Sequence, residues 1–347
     1  MEKIYFQSDN TSGVHPQIME AINKANQDHA MPYGSDAYSL QVQEKFRELS
    51  GRDCDVVFVL GGTGGNVLAM DSMLSSYEAL ICTDVCHIHT TETGAFEKIV
   101  SAKIYPTPNR DGKLDLNEVK KVIDEYIGTF HHNQPSVISI AQTTELGTVY
   151  TVDEIREICE FAHQYHLKVH MDGARISNAL AYLGCSYREM VVDTGVDVVT
   201  FGGTKNGMLF GEANVYYDKR CYQRAVYMQK QDLQLISKMR FIPAQFLAFF
   251  QDDLYLKMAD HANRLITKTL KEGLKDIPGV EVSNTLQSNQ AFLVLPEDKV
   301  EALDEKFYFA INRDLGDKKE IRLVTSFQTT QAEMDAFVSS LKEIMSH

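Results

Sequence analysis

From residue 55 onward, short apolar runs alternate with longer amphipathic stretches, and most runs end in turn residues. Residues 56–60, 79–83, 99–105, 137–141, 167–171, 196–201 and 213–217 have the length and the β-branched and aromatic content of buried strands. Helical stretches fall between most of them. Two begin with the patterns Asp115-x-x-Glu118 and Thr151-x-x-Glu154, in which paired side chains cap a helix start. This alternation predicts an α/β fold, a mainly parallel sheet flanked by helices. Ahead of it, residues 5–13 are polar and turn-rich. Their run of Ser8, Asp9, Asn10 and Thr11 suits either a flexible arm or one folded over a site. His15-Pro16 then opens a helical pattern marked by Ile18, Met19 and Ile22, residues 31–38 read as a loop, and residues 40–49 are amphipathic again.

After Phe250 the rhythm changes. Residues 252–275 form a long charged amphipathic stretch, expected as a helix linking to a second unit. A strand at 280–282, a strand at 291–295, a helix at 300–312, a strand at 321–327 and a helix at 331–345 follow, the last behind Thr330-x-x-Glu333. The expected division is a large domain over 1–253, including the N-terminal arm, and a small C-terminal α+β domain over 254–347.

Composition narrows the partners. The 347 residues are 44% apolar, enough for a large core, and carry a formal net charge of −14. That balance argues against nucleic acid or an anionic membrane as the main partner. The longest apolar window, residues 241–250, is too short to span a bilayer, and no secretory segment opens the chain, so a cytoplasmic protein is expected. Six cysteines without a CxxC pair read as reduced thiols.

The strand ends hold the chemistry. Residues 198–207 finish in Gly-Gly-Thr-Lys-Asn-Gly with Lys205, and residues 167–171 finish in Asp172-Gly-Ala-Arg175. In open α/β sheets ligands bind beyond the carboxyl ends of strands, so these charges converge on a ligand, although either motif alone is also compatible with a surface lysine and a capping aspartate. Gly61-Gly-Thr-Gly-Gly-Asn66 follows another strand and offers backbone N–H groups at a helix start expected near Val67. It is suited to a phosphate, or is simply a turn. Cys86-His-Ile-His89 lacks metal-ligand spacing, and no metal is expected; His87 suits stacking on a flat ring or moving a proton. A phosphate cradle, a stackable ring, an aspartate and a lysine are the parts that pyridoxal 5'-phosphate requires. The lysine bonds its aldehyde, and the aspartate keeps the pyridine nitrogen protonated so that the ring draws electrons.

Asp172-Gly-Ala-Arg-Ile-Ser-Asn178, preceded by His170, resembles the signature of the low-specificity L-threonine aldolases, fold-type I pyridoxal-phosphate enzymes of the β-eliminating lyase superfamily. Ser8-Asp9, Tyr33-Gly-x-Asp36, Gly62-Thr-Gly-Gly-Asn66, His87-Ile and Glu320-Ile-Arg-Leu-Val-Thr325 are similar to further motifs of that family, so the likeness spans nearly the whole chain. The resemblance implies retro-aldol cleavage of threonine-type β-hydroxy-α-amino acids to glycine and an aldehyde. It implies that Lys205 bonds the cofactor, that Asp172 faces the pyridine nitrogen, that His87 stacks, and that Gly62, Thr63 and Gly64 hold the phosphate with help from Thr204. Ser8, Arg175 and Arg322 would bind the substrate carboxylate. Arg240 would reach the phosphate of a neighbouring subunit, in a homodimer or homotetramer with shared sites. His87 and His131 are the candidate bases. The family's Ser-Lys-Gly and Glu-Asn-Thr-His appear here as Thr204-Lys-Asn206 and Ala141-Gln-Thr-Thr144, which leaves the substrate preference open. Phenylserine aldolase activity, β-elimination, transamination and a non-catalytic phosphate-binding role are the alternatives.

Overall fold

The computed structural model describes residues 3–346. Seven strands form the central sheet: β1 (Asp55–Val59), β2 (Glu78–Thr83), β3 (Lys103–Thr107), β4 (Gln134–Ala141), β5 (Lys168–Gly173), β6 (Val198–Gly202) and β7 (Glu212–Tyr216). Their order across the sheet is β1-β7-β6-β5-β4-β2-β3, and only β7 runs antiparallel to its neighbours. Six of the expected strands are present within a few residues of their expected bounds, and the third is displaced to Lys103–Thr107. Between its flanking strands β6 is buried along its whole length, as a strand covered on both faces must be.

The differences have local causes. Residues 99–105 do not form one strand: Ala95–Ile99 is helical, Ser101 takes a φ of 57°, and the chain turns extended only at Lys103. Pro106 is tolerated within β3 because that strand lies at the sheet's edge. Helix α1 (Gly62–Met73) begins earlier than expected, so the glycines are its first turn rather than a loop before it. Asp115 caps its helix by accepting from the Asn117 N–H at 2.9 Å without a reciprocal box, whereas Thr151 and Thr330 form full capping boxes.

The C-terminal unit has a four-stranded antiparallel sheet: β8 (Glu281–Val282), β9 (Gln290–Pro296), β10 (Ala310–Asp314) and β11 (Lys318–Val324), in the order β8-β9-β11-β10. The expected helix over 300–312 ends at Asp304, and residues 307–308 and 310–314 are extended. Phe307 and Phe309 both point inward, an alternation with the period of a strand. The linking helix starts at Leu254, after Asp252 and Asp253 with φ of 51° and 54°.

The arm is tied down. Ile4 and Tyr5 pair in parallel with Phe307 and Tyr308, and Phe6 is fully buried in the small unit's core beside Phe337. The His15 N–H donates to the Gly207 carbonyl at 2.9 Å, which fixes the arm to the loop carrying Lys205. Behind that loop, Phe201 packs among Phe46, Phe246 and Phe250 with centroids 5.4–6.3 Å apart. Among the described residues no helix is long and apolar enough to cross a membrane.

Candidate active site

β1, β2, β4, β5 and β6 run in one direction, so their carboxyl ends share one edge of the sheet. Each delivers a group there: Gly62 from β1, His87 from β2, Glu145 from β4, Asp172 from β5 and Lys205 from β6, all lining one pocket. The pocket meets a cleft of about 780 Å³. Ser8 of the arm and Gln290, Phe292, Arg313 and Arg322 of the small unit's sheet line that cleft.

In α1 the first internal bond runs from the Gly65 N–H to the Gly61 carbonyl at 2.9 Å. The N–H groups of Gly62, Thr63 and Gly64 are therefore left for an outside acceptor, with the positive end of the helix behind them. One turn further in, Asn66 donates to Asp172 Oδ2 at 2.8 Å, while Asp172 Oδ1 accepts from the Ala174 N–H at 2.9 Å. Burial alone would raise the Asp172 pKa. The Asn66 amide, the charge of Lys205 and the Ala174 N–H outweigh it and hold the carboxyl below its ordinary value. Burial lowers the neighbouring His170 to about 4, so its ring is neutral between Ser139 Oγ (2.9 Å) and Thr200 Oγ1 (3.0 Å).

A second chain of contacts supports His87. Its Nδ1 lies 2.8 Å from Glu92 Oε1, the oxygen that also accepts from Asn66 at 2.9 Å. The Glu92 contact raises the His87 pKa against the opposing effect of burial. The backbone N–H of His87 donates to Glu145 Oε1 at 2.9 Å, and burial pushes Glu145 up to about 7.

Lys205 sits on the turn immediately after β6. The Arg175 guanidinium and then burial lower its pKa, against the pull of Asp9, Asp172 and Glu212. The close approach of β5 and β6 depends on Gly202, where a Cβ would lie 2.5 Å from the Ala174 carbonyl oxygen. Glu212 accepts from the Gly203 N–H at 2.6 Å, and its burial raises it to about 7. Thr204 Oγ1 accepts from the Gly211 N–H at 3.1 Å.

Two arginines face the cleft. Arg175 is held by the buried Asp9, with Nε donating to Oδ2 at 2.7 Å and Nη2 to Oδ1 at 3.0 Å. Arg322 on β11 has no such partner: its Nε is buried without a hydrogen bond among the described residues, as is the Gln290 Nε2. Burial and then the charge of Arg175 make its own charge costlier. Two neighbouring guanidiniums with donors to spare suit an anion.

The structure thus brings together Ser8, Gly62, His87, Asp172, Arg175, Lys205 and Arg322, with Thr63 and Gly64 in the same helical turn as Gly62. It does not bring in His131. That exposed residue precedes β4, whose carboxyl end reaches the site, so the strand separates them by roughly 23 Å at about 3.3 Å per residue. Arg240 also lies outside its own chain's pocket, with Nη1 donating to the Asp28 carbonyl at 3.3 Å. Glu92, Glu145, Glu212 and Gln290 join the site without having been singled out by the sequence. Of these, Glu145 carried a signal, since it follows a strand end as Asp172 and Lys205 do.

The fold and site define an α/β enzyme with a buried lysine and an ionised aspartate at the carboxyl edge of its sheet, beside an anion-ready helix start. Residues 5–296 match the beta-eliminating lyase family, whose members use pyridoxal phosphate, and the chain belongs to it. Within it the chain groups with the low-specificity L-threonine aldolases. It is 36% identical over 345 residues to that of a Pseudomonas species, covering 98% of both chains. It is 40% identical over 299 residues to that of Pseudomonas aeruginosa, covering 86% of both. The solved structure of Leishmania major threonine aldolase matches with a TM-score of 0.94 at 30% identity, over 99% of each chain.

Proposed function

We propose that the chain is a pyridoxal-phosphate enzyme that cleaves the Cα–Cβ bond of threonine and related β-hydroxy-α-amino acids, giving glycine and an aldehyde. The observation that carries this reading is the pairing of Lys205, with its lowered pKa, and an ionised Asp172 in one pocket beside three free helix N–H groups. These donors fit a phosphorylated pyridine aldehyde group by group. Gly62, Thr63 and Gly64 would hold the phosphate, Asp172 would accept from the protonated ring nitrogen, the His87 imidazole would stack on the ring, and the Lys205 amine would bond the aldehyde carbon. When bound, the cofactor supplies the electron sink that makes Cα–Cβ cleavage feasible.

The rest is done by the protein's own groups. A lowered pKa keeps the Lys205 amine unprotonated more of the time and hence nucleophilic. Ser8, Arg175 and Arg322 hold the substrate carboxylate, and their fixed geometry sets which bond at Cα is oriented for cleavage. Asp9 aligns Arg175 for this task. Thr204, whose hydroxyl accepts from the Gly211 N–H and which lines neither the pocket nor the cleft, is kept as a phosphate contact on the family resemblance alone. The reading of Arg240 as a contact to a neighbouring subunit's cofactor, in a dimer or tetramer, is supported by its Nε, buried without a hydrogen bond among the described residues, and by its position outside its own pocket. The division into a large unit over 1–253 and a small one over 254–347 is kept as a proposal, although Leu254, Tyr255 and Met258 pack in the large core and the small unit's core takes up the helix only from Leu265.

Incubating the purified protein with pyridoxal phosphate and L-threonine tests the function. Acetaldehyde and glycine are expected in equal amounts. Pyruvate from serine with no aldehyde from threonine would refute the reading in favour of elimination.

A further inference from the structure

Four residues line both the pocket assigned to the cofactor and the cleft assigned to the substrate: His87, Glu145, Arg175 and Lys205. Lys205 and Arg175 have roles there as amine and carboxylate anchor, and the His87 ring is assigned to a cofactor face. Glu145 has none. We infer that Glu145 is the catalytic base that takes the β-hydroxyl proton of the substrate, an inference that rests on the function proposed above.

Position supports it first. Glu145 sits on a turn pinned by the Thr144 N–H to the Thr148 carbonyl (2.9 Å), the Gly147 N–H to the Thr144 carbonyl (2.9 Å) and the Thr144 and Thr148 hydroxyls (2.7 Å). The His87 N–H fixes one carboxylate oxygen, which orients the side chain on a rigid element. Of the other carboxylates at the site, Asp111 alone has no side-chain partner among the described residues, and it lines the cleft but not the pocket; the rest are engaged elsewhere. Asp172 is held by Asn66 and Ala174, Glu92 lies behind His87, Glu320 is bonded by Arg313, Asn312 and Ser283, and Asp84 accepts from Asn109 at 2.7 Å.

The electrostatic setting agrees. Burial raises Glu145 to about 7, Asp172 pushes in the same direction, and the His87 N–H, its own N–H and the His87 ring oppose them. Cys86 is next to His87 on the facing loop, and Lys205 and Arg175 line the same pocket. A carboxylate titrating near neutrality is ionised yet basic enough to accept a proton from a hydroxyl as its bond to carbon rearranges. In that step the O–H proton moves to Glu145 and the O–H pair becomes part of the aldehyde C=O. The Cα–Cβ pair stays with the glycine fragment, which takes up one proton at Cα, so the proton released and the proton gained balance.

Glu145→Gln keeps an oxygen to accept from the His87 N–H but cannot accept the substrate's proton. With threonine, kcat/KM should fall about 10²–10⁴-fold, and the acid limb expected near pH 7 in the wild-type profile should disappear. Glycine α-proton exchange, which needs no β-hydroxyl, and the cofactor's visible absorbance should both persist. Near-wild-type cleavage by E145Q with the limb intact overturns the inference, as does loss of the limb in His87→Phe but not in E145Q. If E145Q does not load cofactor, Glu145→Asp carries the test: a lowered kcat/KM with the acid limb moved from its wild-type position supports the inference, and wild-type cleavage with an unmoved limb overturns it. Wild-type protein that loads cofactor but cleaves no β-hydroxy amino acid overturns the proposed function instead.

Discussion

Replacing Asp9 with Asn perturbs the joint between the arm and the site without changing shape. Asp9 is 2% exposed, and both its oxygens accept from Arg175, at 2.7 and 3.0 Å, with Asn289 donating at 3.2 Å. Burial alone would raise its pKa, but the ion pair with Arg175 outweighs that and lowers it. Breaking a buried pair by neutralising one member leaves the other charge uncompensated, at a cost of about 3–5 kcal/mol. Because Asn still offers one acceptor to the guanidinium, the lower figure applies, about 3 kcal/mol. With a urea dependence near 3 kcal/mol per M, Asp9→Asn should unfold at about 1 M lower urea, followed by circular dichroism on cofactor-free protein. The sign with pH is fixed. A carboxyl with a lowered folded pKa contributes its stability above the unfolded value and loses it as pH falls through the folded one, so the gap should be constant from pH 8 to 6 and close only in strong acid. A midpoint unchanged from wild type at pH 7 would refute the claim that this pair anchors the arm.

Other substitutions probe the site's frame. Gly202→Ala forces a Cβ against the Ala174 backbone, which cannot swing aside, and should lower stability by about 3 kcal/mol with loss of cofactor binding, read by thermal unfolding and absorbance. Glu212, raised to about 7 by burial, favours folding in its protonated form and loses that contribution as pH rises through 7. Glu212→Gln should therefore gain about 3 kcal/mol relative to wild type between pH 4 and pH 8, measured by denaturant titration at each pH. Arg322→Ala removes a charge-assisted contact of about 1.5–3 kcal/mol and should raise the KM for threonine by about 10- to 100-fold while the cofactor band remains.

Much of this molecule was legible in its sequence because its buried parallel strands announce themselves as apolar runs, and because chemistry in such sheets gathers where the runs stop. Lys205, Asp172, Arg175, His87 and the Gly62 turn were all legible from that rule, and they meet. The helix expected over 300–312 is right only as far as Asp304: Val300, Leu303 and Phe307 fall at helical spacing, but Phe307 and Phe309 face the small core from extended chain. His131 illustrates the same rule from the other side, since it precedes its strand and so lies at the wrong edge. Glu145 stands out less in the sequence because its turn has neither glycine run nor paired charge, although it too follows a strand end. The Asp9–Arg175 pair joins residues 166 positions apart, and nothing local to either motif signals it.

The most direct test of the site is the colour of the protein. Wild-type protein given pyridoxal phosphate, then freed of excess by gel filtration, should retain a visible absorbance band that Lys205→Ala lacks. Full retention of that band by the folded Lys205→Ala protein, or its absence from wild type, would contradict the assignment of Lys205 as the residue that bonds the cofactor.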